Sequence, residues 1–435
     1  GAIEQAIRFG LIFNSDIPDV FQWDRKNYFY PDSPKNYQLT QMDAPVCMGG
    51  EVEIELPGPS RNQMGEHKVI HLDHAHLEED VGKLTHFTKD SLVDYNRAGT
   101  PLLEIVTKPD LHSAEEAVAL LQSIRMHLVE AGVSDCDMEK GQMRCDANVS
   151  VRPRGQESLN PRTEMKNLNS ITGVKNAINY EIRRQSRVYE KGGSVTQETR
   201  RWDADLSRTS SMRSKEEAHD YRYFPDPDLL PVHFPRDRVE ELKQDLPEGI
   251  FDRQRRYAEQ FGLPYTVTSV ICYDHELANF FEDGMATHGK NPKVLANYIA
   301  NELQRERSQA EGDGNLPMTD VKLTPGALAR MVQLIDEGKL TKHLARDVFI
   351  EMFNSGKEAQ VIMDEQGIKV EEQDAGELEQ WCRDAIEGNP VAAQQFREGN
   401  EKAINSYMGP IMKASRGKAN PQAVRETLIK IISAG

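Results

Sequence analysis

Glu104 sits in Pro101-Leu102-Leu103-Glu104-Ile105-Val106, where every neighbour is apolar. Such a run predicts a strand buried on both faces, and an unpaired carboxylate there either costs several kcal/mol or gives up its charge. It therefore needs a base such as Arg97, a hydrogen-bond network, or a metal. Glu78-Glu79-Asp80 adds the oxygen ligands that a magnesium ion takes beside phosphate. His71, His74 and His76 precede them. On a strand His74, His76 and Glu78 share a face, which leaves zinc open alongside a set of solvated side chains. The segment Met143–Arg152 alternates strictly, with Met143, Cys145, Ala147, Val149 and Val151 opposite Arg144, Asp146, Asn148, Ser150 and Arg152. The polar row is either a solvated face or the floor of a polar site.

Other patterns lead away from familiar chemistries. Gly284-Met285-Ala286-Thr287-His288-Gly289-Lys290-Asn291 approaches a phosphate-binding loop, but Asn291 replaces the hydroxyl needed for magnesium. The residues before it are helical in pattern, so the segment reads as a turn between helices. Cys47, Cys136, Cys145, Cys272 and Cys382 are scattered without a C-x-x-C pair. That suits a reducing compartment better than a disulfide framework or a structural zinc site.

The elements that must position these residues fall into three stretches. A chain of 435 residues exceeds what one hydrophobic core supports, so two or three domains are expected. Residues 1–246 alternate short strand-like runs with Gly- and Pro-punctuated loops. One clear helix lies among them, opened by Ser113 with Glu116 as a capping box, carried by Val118, Leu121, Ile124 and Leu128, and ended at Gly132. Residues 247–370 are helical in pattern. Residues 371–435 form a small helical tail, with Gly417 closing one helix and Asn420-Pro421 opening the next. The fold class is α+β: a mixed, β-rich domain, an all-helical domain and a helical tail domain. The chain opens directly in a helical pattern (Ile3, Ile7, Leu11), so Gly1 is not read as a native start and an upstream segment is expected.

Charge bounds the partners. A net charge of −17 argues against a protein that coats nucleic acid, but recognition needs only a patch. From Asn405 onward Lys413, Arg416, Lys418, Arg425 and Lys430 face a single acid, Glu426. No apolar run approaches the roughly 20 residues needed to cross a bilayer, so no membrane role is expected.

Eight blocks, in order, resemble the GatB family, the B subunits of glutamyl/aspartyl-tRNA amidotransferases. The signature is Leu92-Val93-Asp94-Tyr95-Asn96-Arg97-Ala98-Gly99-Thr100-Pro101-Leu102-Leu103-Glu104-Ile105. With it come Asp24–Asp32, His76–Asp80, Met143–Val149, Glu164–Asn169, Asp220–Pro225, Lys322–Pro325 and Met412–Gly417. One block alone is weak; eight in family order are specific.

The resemblance implies a β-rich "cradle" with a kinase-like site. There ATP activates the side-chain carboxylate of Glu-tRNA(Gln) or Asp-tRNA(Asn) as an acyl phosphate, which ammonia then converts to the amide. It implies an amidase A subunit that draws the ammonia from glutamine and a small C subunit completing a heterotrimer; the expected setting is a bacterial cytoplasm, with an organelle matrix as the alternative. By position Glu78 and Glu104 match the family's Mg2+ carboxylates, and Arg144, Asp146 and Lys166 match site-lining catalytic positions. Family members carry further acidic and histidine ligands on a strand before the present start. The tail residues Lys413, Arg416, Lys418 and Arg425 are expected to bind tRNA. The alternative is a non-catalytic tRNA-binding subunit of a multisubunit complex.

Overall fold

The apolar spacing at the start of the chain does build a helix, Ala2–Ile12, which buries Ala6, Ile7 and Phe9. The computed structural model describes residues 1–214, 220–310, 316–368, 375–415, 419 and 421–434. They fall into two units, 1–255 and 256–435. The first is sheet-rich and the second helical, which makes the class α+β.

The spine of the first unit is the long strand His67–Glu79. Glu51–Glu55 pairs antiparallel with its first half and Pro101–Thr107 with its second, while Cys47–Met48 pairs near its middle. Ile70, Leu72, Ala75 and Leu77 point inward against Ile7, Phe9, Val52 and Ile54. Helix Ala114–Glu130 closes the same core through Leu120, Ile124 and Leu128. Ser113 caps it by accepting the Glu116 N–H at 3.1 Å. The Glu116 carboxylate does not return to Ser113; it accepts from the His112 N–H at 2.7 Å and from Lys68 at 2.9 Å. Only half of the expected capping box therefore forms.

A second sheet runs in the order Cys145–Val149, Thr163–Leu168, Glu198–Asp203, Arg208–Ser214. Its two middle strands are parallel, joined across the sheet by helix Ile171–Glu190. The alternation expected around Cys145 is present, with Val149 buried and Arg144, Asp146 and Asn148 exposed. The strand is shorter than its pattern. It stops at Val149, after which the Val151 N–H donates to Gln185 Oε1 and the Val151 carbonyl accepts from Asn160 Nδ2. A small third sheet joins Phe224–Pro225, Asp24–Asn27 and Tyr37–Thr40.

Helix Ile171–Glu190 is the element that the sequence pattern hides. Its buried stripe is Val174, Ala177, Ile178, Glu181 and Gln185, so two polar residues interrupt the apolar period. Both are satisfied internally: Glu181 accepts from Arg184 and Gln185, and Gln185 donates to the Val149 carbonyl.

In the second unit, Tyr257, Phe281, Leu295 and Phe349 belong to one core. Leu378, Cys382, Tyr407, Ile411, Val424 and Leu428 belong to a separate one. The phosphate-loop look-alike is indeed an interhelical turn. Helix His275–Thr287 precedes it, and Asn291 caps Pro292–Asn297 by accepting the Val294 N–H. Gly417 and Asn420 lie outside the described residues. No helix among the described residues is long and apolar enough to cross a membrane.

Candidate functional site

Two adjacent strands place three potential ligands on one face. His76 and Glu78 are two residues apart on His67–Glu79, and Glu104 on Pro101–Thr107 is the register partner of His76. One ligand atom from each of His76, Glu78 and Glu104 lies within 4.8 Å of the other two. His76 Nε2 stands 3.9 Å from Glu104 Oε2. Burial is graded across the group: His76 is buried, Glu78 is partly so, and the Glu104 side chain is 51% exposed.

That exposure corrects the expectation that Glu104 is buried on both sides. Among the described residues its strand pairs only with His67–Glu79; Leu103 and Ile105 pack against the core, while Glu104 lies on the opposite face with Leu102 and Val106. Arg97 is not its partner. The Arg97 guanidinium donates to the Val81 and Gly82 carbonyls at 2.9 and 3.0 Å and lies 3.7 Å from Asp80. The histidine run separates as well. His71 pairs with Asp110 at 2.7 Å and His74 with Asp73 at 2.8 Å, while His74 also stacks on His76 with 5.2 Å between ring centroids. Only His76 joins the carboxylates, so the His74–His76–Glu78 zinc set is not what converges.

Burial raises the Glu78 carboxyl to about 7; the neighbouring charges of Glu104 and Asp80 add to this, while Lys26 and Arg144 oppose it. Burial lowers His76 to about 4, with the positive charges of His74 and Lys26 acting in the same direction. Glu78 Oε2 and His76 Nδ1 are both buried without a hydrogen-bond partner. Unsatisfied buried acceptors of this kind call for an explanation, and a bound cation is one. Two carboxylates and a neutral imidazole, converging with free lone pairs, fit a divalent ion; the carboxylates are the arms suited to a hard one.

Arg144 stands at the edge of this group. Its guanidinium forms a close two-point contact with the buried carboxylate of Asp80, and its charge reaches Glu78. Asp146 and Lys166 form their own pair, 2.6 Å apart on neighbouring strands, and Lys166 also meets Glu164 at 3.1 Å. The structure therefore brings Glu78, Glu104 and Arg144 together with His76 and Asp80. The ion pairs of Asp146 and Lys166 among the described residues stay within the second sheet.

Sequence reasoning missed Lys26 and the tyrosines Tyr28, Tyr221 and Tyr223, on which the Glu78 charge also acts or which lie beside them. Their signal was available. They lie in Asp24–Asp32 and Asp220–Pro225, two of the eight blocks, but nothing local marks segments some 200 residues apart as neighbours. In the tail, Lys413 is exposed on helix Asn405–Ala414 and Arg425 on helix Pro421–Ala434. Arg416 and Lys418 lie outside the described residues.

The family described as "GatB/GatE catalytic domain" matches residues 1–240, and the one described as "GatB domain" matches residues 279–432. Among similar proteins, the B subunit of the aspartyl/glutamyl-tRNA(Asn/Gln) amidotransferase of Opitutus terrae is 52% identical, over 100% of this chain and 89% of its own length. The protein of the same name from Carboxydothermus hydrogenoformans is 44% identical, over 98% of this chain and 87% of its own. That from Persephonella marina is 41% identical, over 99% and 88%.

Proposed function

The chain belongs to the GatB/GatE family, and from that membership we propose that it is the subunit that activates and amidates the side-chain carboxylate of misacylated Glu-tRNA(Gln), Asp-tRNA(Asn) or both. The observation that carries the reading is the convergence of Glu78, Glu104 and His76, with Glu78 Oε2 and His76 Nδ1 buried and unpaired. A pure RNA-binding surface has no use for such a group.

In the proposed reaction a carboxylate oxygen of the aminoacyl side chain attacks the γ-phosphorus of ATP. The bridging P–O bond breaks and ADP leaves with the electron pair. Ammonia then attacks the acyl carbon, the C–O bond to phosphate breaks, and phosphate departs as the new C–N bond gives up a proton. Bringing a carboxylate to a polyphosphate sets anions against each other, so positive charge must be supplied. Mg2+ held by Glu78 and Glu104, with His76 as third donor, would supply it by drawing charge from the phosphate oxygens. Asp80 fixes the Arg144 guanidinium, which offers planar donors to an anion without having to be ordered first. Asp146 and Lys166 line the same site in this proposal, as a carboxylate and an ammonium already joined for handling charge.

The relatives' names, as B subunits, support a multisubunit assembly, and the proposed partners are those the family resemblance implies: an amidase A subunit that releases ammonia from glutamine, and a small C subunit that completes the heterotrimer. The tail, through Lys413, Arg416, Lys418 and Arg425, holds the tRNA. The setting is the cytoplasm of a bacterium.

The test is amide formation on Glu-tRNA(Gln) and Asp-tRNA(Asn) by the chain with A and C subunits, ATP, magnesium and glutamine. The proposal expects ATP-dependent product that Glu78→Gln abolishes while tRNA binding persists. Binding of tRNA with no amide from the unaltered chain would instead assign a non-catalytic tRNA-binding role.

A further inference from the structure

Strand Asp24–Asn27 carries two adjacent cations with opposite fates. Arg25 is fully engaged, its guanidinium 2.7 Å from Asp226 and 2.8 Å from Asp228, with the Tyr37 ring 4.3 Å from its centre. Lys26 points to the other face. Among the described residues no carboxylate lies within ion-pair distance of its ammonium, although the side chain is half-buried. Its contact is with an aromatic face: Nζ stands 5.2 Å from the Tyr221 ring centroid. A cation–π contact steadies an ammonium without consuming its three N–H donors.

The backbone around Lys26 is fixed on both edges. Its register partner is Gln38, whose Nε2 donates to the Glu79 carbonyl at 2.6 Å, and the next N–H, that of Leu39, donates to Glu79 Oε1 at 2.9 Å. These bonds attach the Lys26 sheet to the end of the strand that bears Glu78. On the other edge the Asn27 N–H donates to the Tyr221 carbonyl at 2.9 Å, and Asn27 Nδ2 to that of Arg222 at 2.8 Å. Two segments far apart in sequence are thus locked together so that Tyr221 braces Lys26. Directly paired residues project their side chains from the same face, so Lys26 extends on the face from which Gln38 reaches the carbonyl of Glu79, the residue next to Glu78.

We propose that Lys26 is a phosphate-binding residue of this site: its ammonium, braced on Tyr221 and paired with no carboxylate, donates to the oxygens of the phosphoryl group brought to Glu78, Glu104 and His76. The inference rests on the activation reading above and adds a residue and a ligand group to it. Arg144 shares its charge with Asp80 and offers only the donors that contact leaves, whereas Lys26 has no carboxylate within ion-pair distance among the described residues. A phosphoryl group gathers charge on its equatorial oxygens as it transfers, and a fixed ammonium in a partly dry site stabilises that charge without reorganising.

The experiment uses the full chain assembled with A and C subunits. Lys26→Gln should lower kcat/KM for ATP by about tenfold or more, the loss expected for a charge-assisted hydrogen bond. Lys26→Arg should restore most of it, and KM for the charged tRNA should not move. A purely structural lysine would give the opposite split, with stability falling and the ATP parameters unchanged. A second measurement needs no variant. Magnesium and ATP should slow acylation of Lys26 by an amine-reactive acetylating ester, read by peptide mass spectrometry, and leave exposed Lys290 unaffected. Unchanged kcat/KM for ATP in Lys26→Gln, or acylation of Lys26 indifferent to bound ATP, would overturn the inference. An unaltered assembly with no ATP-dependent amidation at all would instead overturn the activation reading on which it rests.

Discussion

His76 and Glu104 are direct cross-strand partners, aligned in register with Nε2 and Oε2 3.9 Å apart, although 28 positions separate them in sequence. Because side chains alternate along a strand, that register puts Glu78 on the same face, and a one-residue slip would scatter the three. The local pairing of Pro101–Thr107 with His67–Glu79 therefore determines whether a metal site exists at all.

The first prediction concerns that site. Manganese, used as a paramagnetic probe, should bind the full chain, and Glu78→Gln or Glu104→Gln should each weaken binding by about tenfold or more. His76→Ala should weaken it as well. Glu104 is half-exposed, so its variant should fold normally. Manganese affinity unchanged in all three would remove the metal assignment.

A second prediction concerns the tail. Lys413→Glu with Arg425→Glu should raise KM for the charged tRNA and flatten its salt dependence, because a tail that neutralises fewer phosphates releases fewer counterions on binding. ATP turnover should be unaffected. An unchanged salt slope would show that these two exposed side chains are only solvated.

Glu181 gives a stability prediction. This carboxylate is fully buried and accepts from Arg184 at 3.0 Å, Gln185 at 3.0 Å and Thr209 at 3.3 Å, with Arg200 3.9 Å away. Glu181→Ala leaves buried donors and partly buried cations unpaired, at a cost of about 3 kcal/mol in denaturant unfolding of the first unit. A loss below about 1 kcal/mol would mean that the network contributes little.

His127 sets a pH dependence. Its ring is held between Phe13 and Phe251, with Nδ1–H donating to the Ser123 carbonyl at 2.8 Å. Burial pushes its pKa below the usual 6.5, so the folded state resists a proton that the unfolded state takes up. Its contribution to stability is complete above pH 6.5 and is lost as pH falls toward the folded value. His127→Gln should flatten unfolding free energy between pH 7 and 5, and an equally steep profile in the variant would place the dependence elsewhere.

Much of this was legible from sequence, and the exceptions have physical causes. Alternation found the strand at Cys145–Val149, a single capping residue found the helix at Ala114–Glu130, and the family blocks marked Glu78 and Glu104. Helix Ile171–Glu190 escaped because Glu181 and Gln185 occupy positions where its period calls for apolar side chains. Glu104 was misjudged because apolar neighbours in sequence say nothing about whether a strand lies at an edge. Lys26 was invisible because its brace, Tyr221, precedes a strand of only two residues, Phe224–Pro225, which is too short for any periodicity.

The central claim is that this chain's own site makes an acyl phosphate, and oxygen transfer tests it most directly. Glu-tRNA(Gln) carrying 18O in its side-chain carboxylate would be turned over by the assembly with ATP, magnesium and glutamine, and the released phosphate analysed by mass spectrometry. Activation by phosphoryl transfer predicts one labelled oxygen in the phosphate for each amide formed, and loss of both signals with Glu78→Gln. Amide formed with unlabelled phosphate, or labelled phosphate undiminished in Glu78→Gln, would contradict the account.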